Sequence, residues 1–310
     1  MKVGTTLMKW LLRALGALPL GFHYACSGFF SWILKDVMHY RRDVVMTNLA
    51  RSFPEKKYSE LKALSDDFYK HFGRLLAETI WFGGCRNPER LHRQHLVEFT
   101  NLEVCEAAYE GSKGVVLLNS HFGNWELTGG FPYYDYRTGL DRKSPFDLDV
   151  FDLDNMAVVY KPLKNRMWDE ILCDNRCAPI LNRGFEGYIP TEKVLRFAVA
   201  HGKSKMLYIF PTDQCPYKGA TANDTVDFLH QPTKTMLGGA SVAHKFGFAV
   251  LYMSIAPVSK GHYEWSFTEI CRDASEVSPH EIMQEYYSLL QADIEKYPYG
   301  YLWSHRRWKR

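Results

Sequence analysis

Four short apolar runs, separated by stretches of helical spacing, limit this chain's fold more than any other feature. Val115 to Asn119 and residues 157–160, 206–210 and 249–255 are rich in Val, Ile, Leu and Tyr. Helical runs lie between them, near 164–174, 191–201 and 234–246. Strands buried on both faces read as continuous apolar runs rather than as alternation. The pattern predicts an α/β fold, a mainly parallel mixed sheet flanked by helices, with a site at the strands' carboxyl ends. Tyr263 to Glu269 alternates apolar and polar residues and predicts an added antiparallel strand. The acidic, turn-rich stretch 137–154 predicts a mobile loop.

The amino-terminal part has a different character. From Ala14 to Leu34 roughly 21 residues pass without a charged side chain, long enough to cross a bilayer. Pro19, His23, Ser27 and Ser31 interrupt the run. An N-terminal helical membrane-associating segment, anchored or interfacial, is the expected reading. A buried soluble helix, or a signal peptide behind Lys2, Lys9 and Arg13, is the alternative. A short helix over Arg41 to Leu49 and a longer one over Tyr58 to Phe82 follow, the latter stopped by Gly83-Gly84. The expected division is 1–54 for the anchoring helices and 55–310 for an α/β domain.

Composition excludes some classes. A chain of 310 residues, 46% hydrophobic and 15% aromatic, is neither disordered nor fibrous. The net charge is +3, with basic residues gathered toward both ends. Basic ends beside apolar sequence fit an anionic membrane surface or a phosphorylated ligand. No basic, aromatic-interleaved module for nucleic acid is present. The seven cysteines are scattered, with only Cys173 and Cys177 close, and imply reduced thiols rather than a zinc site.

Chemistry concentrates in Asn119-Ser120-His121-Phe122-Gly123-Asn124-Trp125-Glu126. A histidine leaving a buried strand, with an acid five residues on, can pair a base with its orienting carboxylate. The spacing alone is weak: with 12 His and 35 Asp plus Glu, roughly one or two such pairs arise by chance. A second pair, His280 and Glu285, lies in a helical stretch where five residues point the side chains apart. His121 instead has a strand before it and a glycine-containing turn after it.

That octapeptide resembles the signature block of the bacterial lipid A biosynthesis (late) acyltransferases, within the wider lysophospholipid and glycerophosphate acyltransferases. Other segments are similar to the family's in order along the chain. They are Arg41 to Pro54, Tyr160-Lys161-Pro162 with Asn165 and Asp169, Phe210-Pro211-Thr212-Asp213-Gln214, Gln231 to Thr235, and Trp303-Ser304-His305-Arg306-Arg307-Trp308. The resemblance implies transfer of a fatty acyl group from an acyl carrier protein or coenzyme A thioester to a lipid hydroxyl. It implies His121 as general base with Glu126 as its partner. The acceptor it implies is a lipid A precursor, and an amino-acid-linked lipid or another lyso-lipid is the alternative. It also implies the cytoplasmic face of the inner membrane, without a metal or other cofactor. Lys161 stands where the family often has Arg, and His230 where it often has Gly.

Asn124, Lys161, Asn165, Asp169, Asp213, Gln214 and Arg306 are the candidate substrate-binding residues. Lys161 is the candidate for a developing oxyanion or an acceptor phosphate. Asn165 and Asp169 bind acceptor hydroxyls or support their loop. Asp213 arranges backbone amides or pairs with a cation. Arg306 and Arg307 meet phosphates or are simply solvated. A serine hydrolase is disfavoured, because Gly239-Ala240-Ser241-Val242-Ala243 lacks the closing glycine of a nucleophile elbow. A non-catalytic lipid-binding protein on the same fold is the rival of another class.

Overall fold

A computed structural model describes residues 2–138, 150–180, 185–216 and 224–308. The expected loop at 137–154 lies mostly outside the described residues.

The amino terminus folds as two helices, α1 (Lys2–Gly16) and α2 (Leu20–Trp32), the second running on into a π-helical turn at Ile33–Val37. The single charge-free span expected over 14–34 is therefore broken. Pro19 has no N–H to donate and starts a new helix. The guanidinium of Arg90 caps the broken end, donating to the carbonyls of Gly16, Ala17 and Leu18. No helix of the described residues is long and apolar enough to cross a membrane.

The helix α3 (Arg42–Ser52) and the 25-residue α4 (Tyr58–Phe82) follow. Helix α4 buries Leu61, Phe68, Leu75 and Trp81, the apolar stripe of a 3.6-residue period. Helices α2 and α4 approach closely at Gly73, where an added Cβ would lie 2.6 Å from the Ser27 carbonyl oxygen.

Then come α5 (Pro88–His92), β1 (Val97–Phe99), α6 (Leu102–Gly111) and β2 (Val115–Asn119). A long connection leads to β3 (Met156–Tyr160), α7 (Arg166–Arg176), β4 (Tyr188–Pro190), α8 (Val194–Ala200) and β5 (Leu207–Pro211). A small hairpin, β6 (Thr225–Phe228) with β7 (Gln231–Lys234), precedes α9 (Gly238–Phe246). The chain closes with β8 (Ala249–Ser259), β9 (His262–Cys271) and α10 (Pro279–Lys296).

Seven strands form one sheet in the order β1-β9-β8-β2-β5-β3-β4. The pairings are parallel except β8 with β9, as the sequence predicts for that pair. Successive strand residues feed cores on opposite faces: Val116 and Leu118 one, Val115 and Leu117 the other. The helix expected near 234–246 starts later, because Gln231 to Lys234 forms the hairpin's second strand.

Candidate active site

Strands β2 and β5 run side by side in parallel, with Asn119 opposite Pro211. Two residues beyond each of these stand His121 and Asp213. The register therefore brings the histidine of one strand end against the acid of the next.

The turn that carries His121 is gripped from several sides. Gly123 has φ of +63°, and a Cβ there would lie 2.0 Å from the Ile255 carbonyl oxygen. Only glycine fits both the left-handed backbone and that approach. The carboxyl-terminal segment lies along the turn: Gly123 N–H donates to Gly300 O, and Leu302 N–H donates to His121 O, both at 3.0 Å. Phe122 and Tyr301 form an antiparallel bridge. From behind, the buried His71 of α4 reaches the Gly123 carbonyl at 3.2 Å.

The His121 ring meets Asp213 and Gln214. Its Nδ1 lies 2.7 Å from Asp213 Oδ1, which also accepts the His121 backbone N–H at 3.0 Å. A carboxylate accepts only, so Nδ1 carries the proton and Nε2 keeps its lone pair. The Gln214 side-chain amide stands 2.9 Å from that Nε2. Trp125 packs edge-on against the ring at 4.9 Å between centroids. Burial pushes the Asp213 carboxyl up, but the facing His121 and its hydrogen bonds outweigh burial and hold it below the usual range.

Glu126 is engaged elsewhere, which corrects the pairing expected from spacing. Its two oxygens accept Nε and Nη2 of Arg176, each at 2.6 Å, and the Trp125 indole N–H donates to it at 3.0 Å. Arg176 also donates to the Tyr188 hydroxyl at 3.1 Å. Burial raises the Glu126 carboxyl, but the Arg176 charge and hydrogen bonds, with the nearby His121 and the Trp125 N–H, together outweigh it and hold it below the usual range. The bidentate geometry fixes the guanidinium plane as a lone lysine does not. Sequence spacing has no signal for this pair, because its partners stand 50 residues apart.

His121, Trp125, Glu126 and Arg176 line one part of a cavity of about 610 Å³. Much of the rest is apolar, with Val158, Val159, Ile180, Val194, Ile209 and Leu237. Gln214 and Lys161 also line it, Lys161 being exposed and 4.0 Å from Glu192. The remaining candidates lie apart from it. Asn124 is fully buried, its side chain donating to Glu78 and accepting the Glu126 N–H. Asn165 caps α7 by accepting the N–H groups of Met167 and Trp168. Asp169 accepts the Leu163 N–H and so supports the loop. Arg306 is exposed beside Arg51, Asp43 and Trp308. Its neighbour Arg307 is the buried one, donating to Lys234 O and the Tyr287 hydroxyl.

An imidazole whose Nε2 is left as an acceptor, held by a carboxylate at a sheet's end and lining a largely apolar cavity, suits group transfer onto an oily substrate. The chain belongs to the family of bacterial lipid A biosynthesis acyltransferases, whose model matches residues 2–137 and 151–310. It is an acyltransferase, and its class of reaction is acyl transfer to a lipid acceptor. No curated protein matches it.

Proposed function

We propose that the protein moves a fatty acyl chain from an acyl carrier protein or coenzyme A thioester to a hydroxyl of a lipid A precursor. The observation that carries this reading is the contact between His121 Nδ1 and Asp213, which leaves Nε2 basic. The acceptor hydroxyl displaces the Gln214 amide at Nε2 and gives its proton to the ring as its oxygen attacks the thioester carbonyl. The tetrahedral intermediate then expels the thiolate, which takes that proton back and leaves as the thiol. A thioester arrives activated, so no cofactor and no acyl-enzyme are required. General-base action of this kind contributes about 10²–10⁴-fold.

In this reading Asp213 orients His121, and Glu126 acts by holding Arg176. The fixed guanidinium of Arg176, rather than the exposed Lys161, faces the oxyanion or an acceptor phosphate. The apolar cavity takes the acyl chain.

The helices at the amino terminus support work at the cytoplasmic surface of the inner membrane. Helix α1 exposes Leu7, Trp10, Leu11 and Leu15. Helix α2 is turned inside out: it exposes Phe22, Phe29 and Trp32 while burying His23, Ser27 and Ser31. A helix with its polar side inward suits a lipid surface rather than water. We assign α1 and α2 as interfacial helices.

Mass spectrometry of lipids from cells lacking the gene, complemented with wild type or His121→Ala, tests the reading. Loss of one acyl chain from lipid A, restored only by wild type, is the expected result. Underacylation of an amino-acid-linked lipid or lyso-lipid instead moves the acceptor but keeps the chemistry. Full restoration by His121→Ala favours a non-catalytic lipid-binding role.

A further inference from the structure

Glu78 is a carboxylate with no exposure to solvent, near the carboxyl end of α4, that the chemistry above does not use. It accepts three hydrogen bonds. Tyr24 of α2 donates to Oε1 at 2.8 Å, while Tyr263 of β9 and the Asn124 amide both donate to Oε2 at 2.7 Å. Burial pushes its carboxyl up, against those hydrogen bonds and the charge of Arg74. Burying a carboxylate costs several kcal/mol that an apolar residue there avoids, so the group calls for an explanation.

We propose that Glu78 is a positioning residue for acyl transfer, tying the outward-facing helix α2, through Tyr24, to Asn124 in the turn that carries His121. Asn124 is where the link reaches the chemistry. Its amide is held by Glu78, and its carbonyl oxygen accepts the Glu126 N–H at 3.2 Å. It therefore sets where the chain goes between the base, His121, and the carboxylate that holds Arg176. At the other end Tyr24 is packed as well as bonded. The Lys260 ammonium lies 4.9 Å over its ring, and a Cβ at Gly261 would lie 2.3 Å from its hydroxyl. The helix that presents Phe22, Phe29 and Trp32 to its surroundings is thus one hydrogen bond from the carboxylate that holds the catalytic turn. A shift of α2 draws on Oε1 directly.

The proposal rests on His121 performing the transfer, and its test keeps the two ideas apart. The readout is thiol release from dodecanoyl-coenzyme A by the purified full chain, with vesicles of total lipid from cells lacking the gene. Wild type and His121→Ala are compared first; equal rates sink the transfer reading and this proposal with it. Glu78→Gln keeps the shape but, with its amide nitrogen in the place of Oε2, sets a donor against the two donors Tyr263 and Asn124. It is expected to lower kcat about tenfold or more with KM for the thioester within about twofold, the pattern of a misplaced reacting group. Glu78→Gln combined with Asn124→Asp reverses donor and acceptor, so the introduced amide donates to the introduced carboxylate, and recovery of most of the lost kcat is expected. Should Glu78→Gln fail to fold, Tyr24→Phe removes one donor only and is expected to lower kcat by about threefold or more, again without a KM change. A kcat per folded molecule equal to wild type in the soluble variant, or a double variant no better than Glu78→Gln, overturns the proposal while leaving the transfer reading intact.

Discussion

Asp213 accepts two hydrogen bonds from a single residue, His121: one from ring Nδ1 at 2.7 Å and one from the backbone N–H at 3.0 Å. The same oxygen thus fixes the ring's tautomer and the start of its turn. Asp213→Asn keeps the shape and the accepting oxygen, which the His121 backbone N–H holds in place, but removes the negative charge that stabilises the imidazolium formed on proton transfer. A loss of about 10²–10⁴-fold in kcat is expected, with circular dichroism unchanged. Wild-type kcat in a folded Asp213→Asn variant sinks this assignment.

Glu126→Ala is expected to act through Arg176. It leaves a largely buried guanidinium without its carboxylate, a loss of about 3 kcal/mol for breaking a buried pair from one side. Glu126→Leu with Arg176→Met removes both charges and is expected to be more stable than Glu126→Ala. Urea midpoints compare the two. The Glu126 carboxyl is lowered in the folded protein, so its contribution is present above the ordinary carboxylate range. That contribution is lost as pH falls through the lowered value.

His71 makes a pH-dependent term of the opposite chemical type. It is buried, and burial lowers its pKa from 6.5 to about 4. The unfolded chain therefore binds a proton at this site below about 6.5 that the folded protein refuses until about 4, so stability rises with pH across that window and is flat above it. Its Nε2–H donates to Gly123 O, a bond a glutamine amide can replace. Relative to His71→Gln, the wild type is expected to lose about 3 kcal/mol between pH 6.5 and pH 4. A pH-independent difference between the two in urea unfolding counts against it.

Gly123→Ala is expected to be severe. The substitution pairs a left-handed backbone, φ +63°, with a Cβ 2.0 Å from the Ile255 carbonyl oxygen. The backbone alone costs about 1–2 kcal/mol, and relieving the clash moves His121. Turnover is expected to fall further than the thermal midpoint explains. An active Gly123→Ala variant with normal KM contradicts this account of the turn.

The α/β alternation, the long helix over Tyr58 to Phe82 and the antiparallel strand after β8 are legible in the sequence, because each is written in local periodicity. His121 is legible too, since a buried strand ending in a polar turn marks a strand-end site. The β6–β7 hairpin is not, its Thr, Asp and Gln lacking the apolar signal of a strand. Helices α1 and α2 look like one span until Pro19 breaks them and Arg90, more than 70 residues on, caps the break.

Sequence by itself singled out the candidate histidine: His121 stands out by its place after Val115-Val116-Leu117-Leu118, in a block that resembles the family's signature. Which acid serves it was decided only by tertiary structure. The acid five residues along the chain is turned toward Arg176, while strand pairing brings in Asp213 from 92 residues away. Hydrogen bonds depend on distance in space, and parallel register sets that distance between strand ends that chain spacing leaves unrelated.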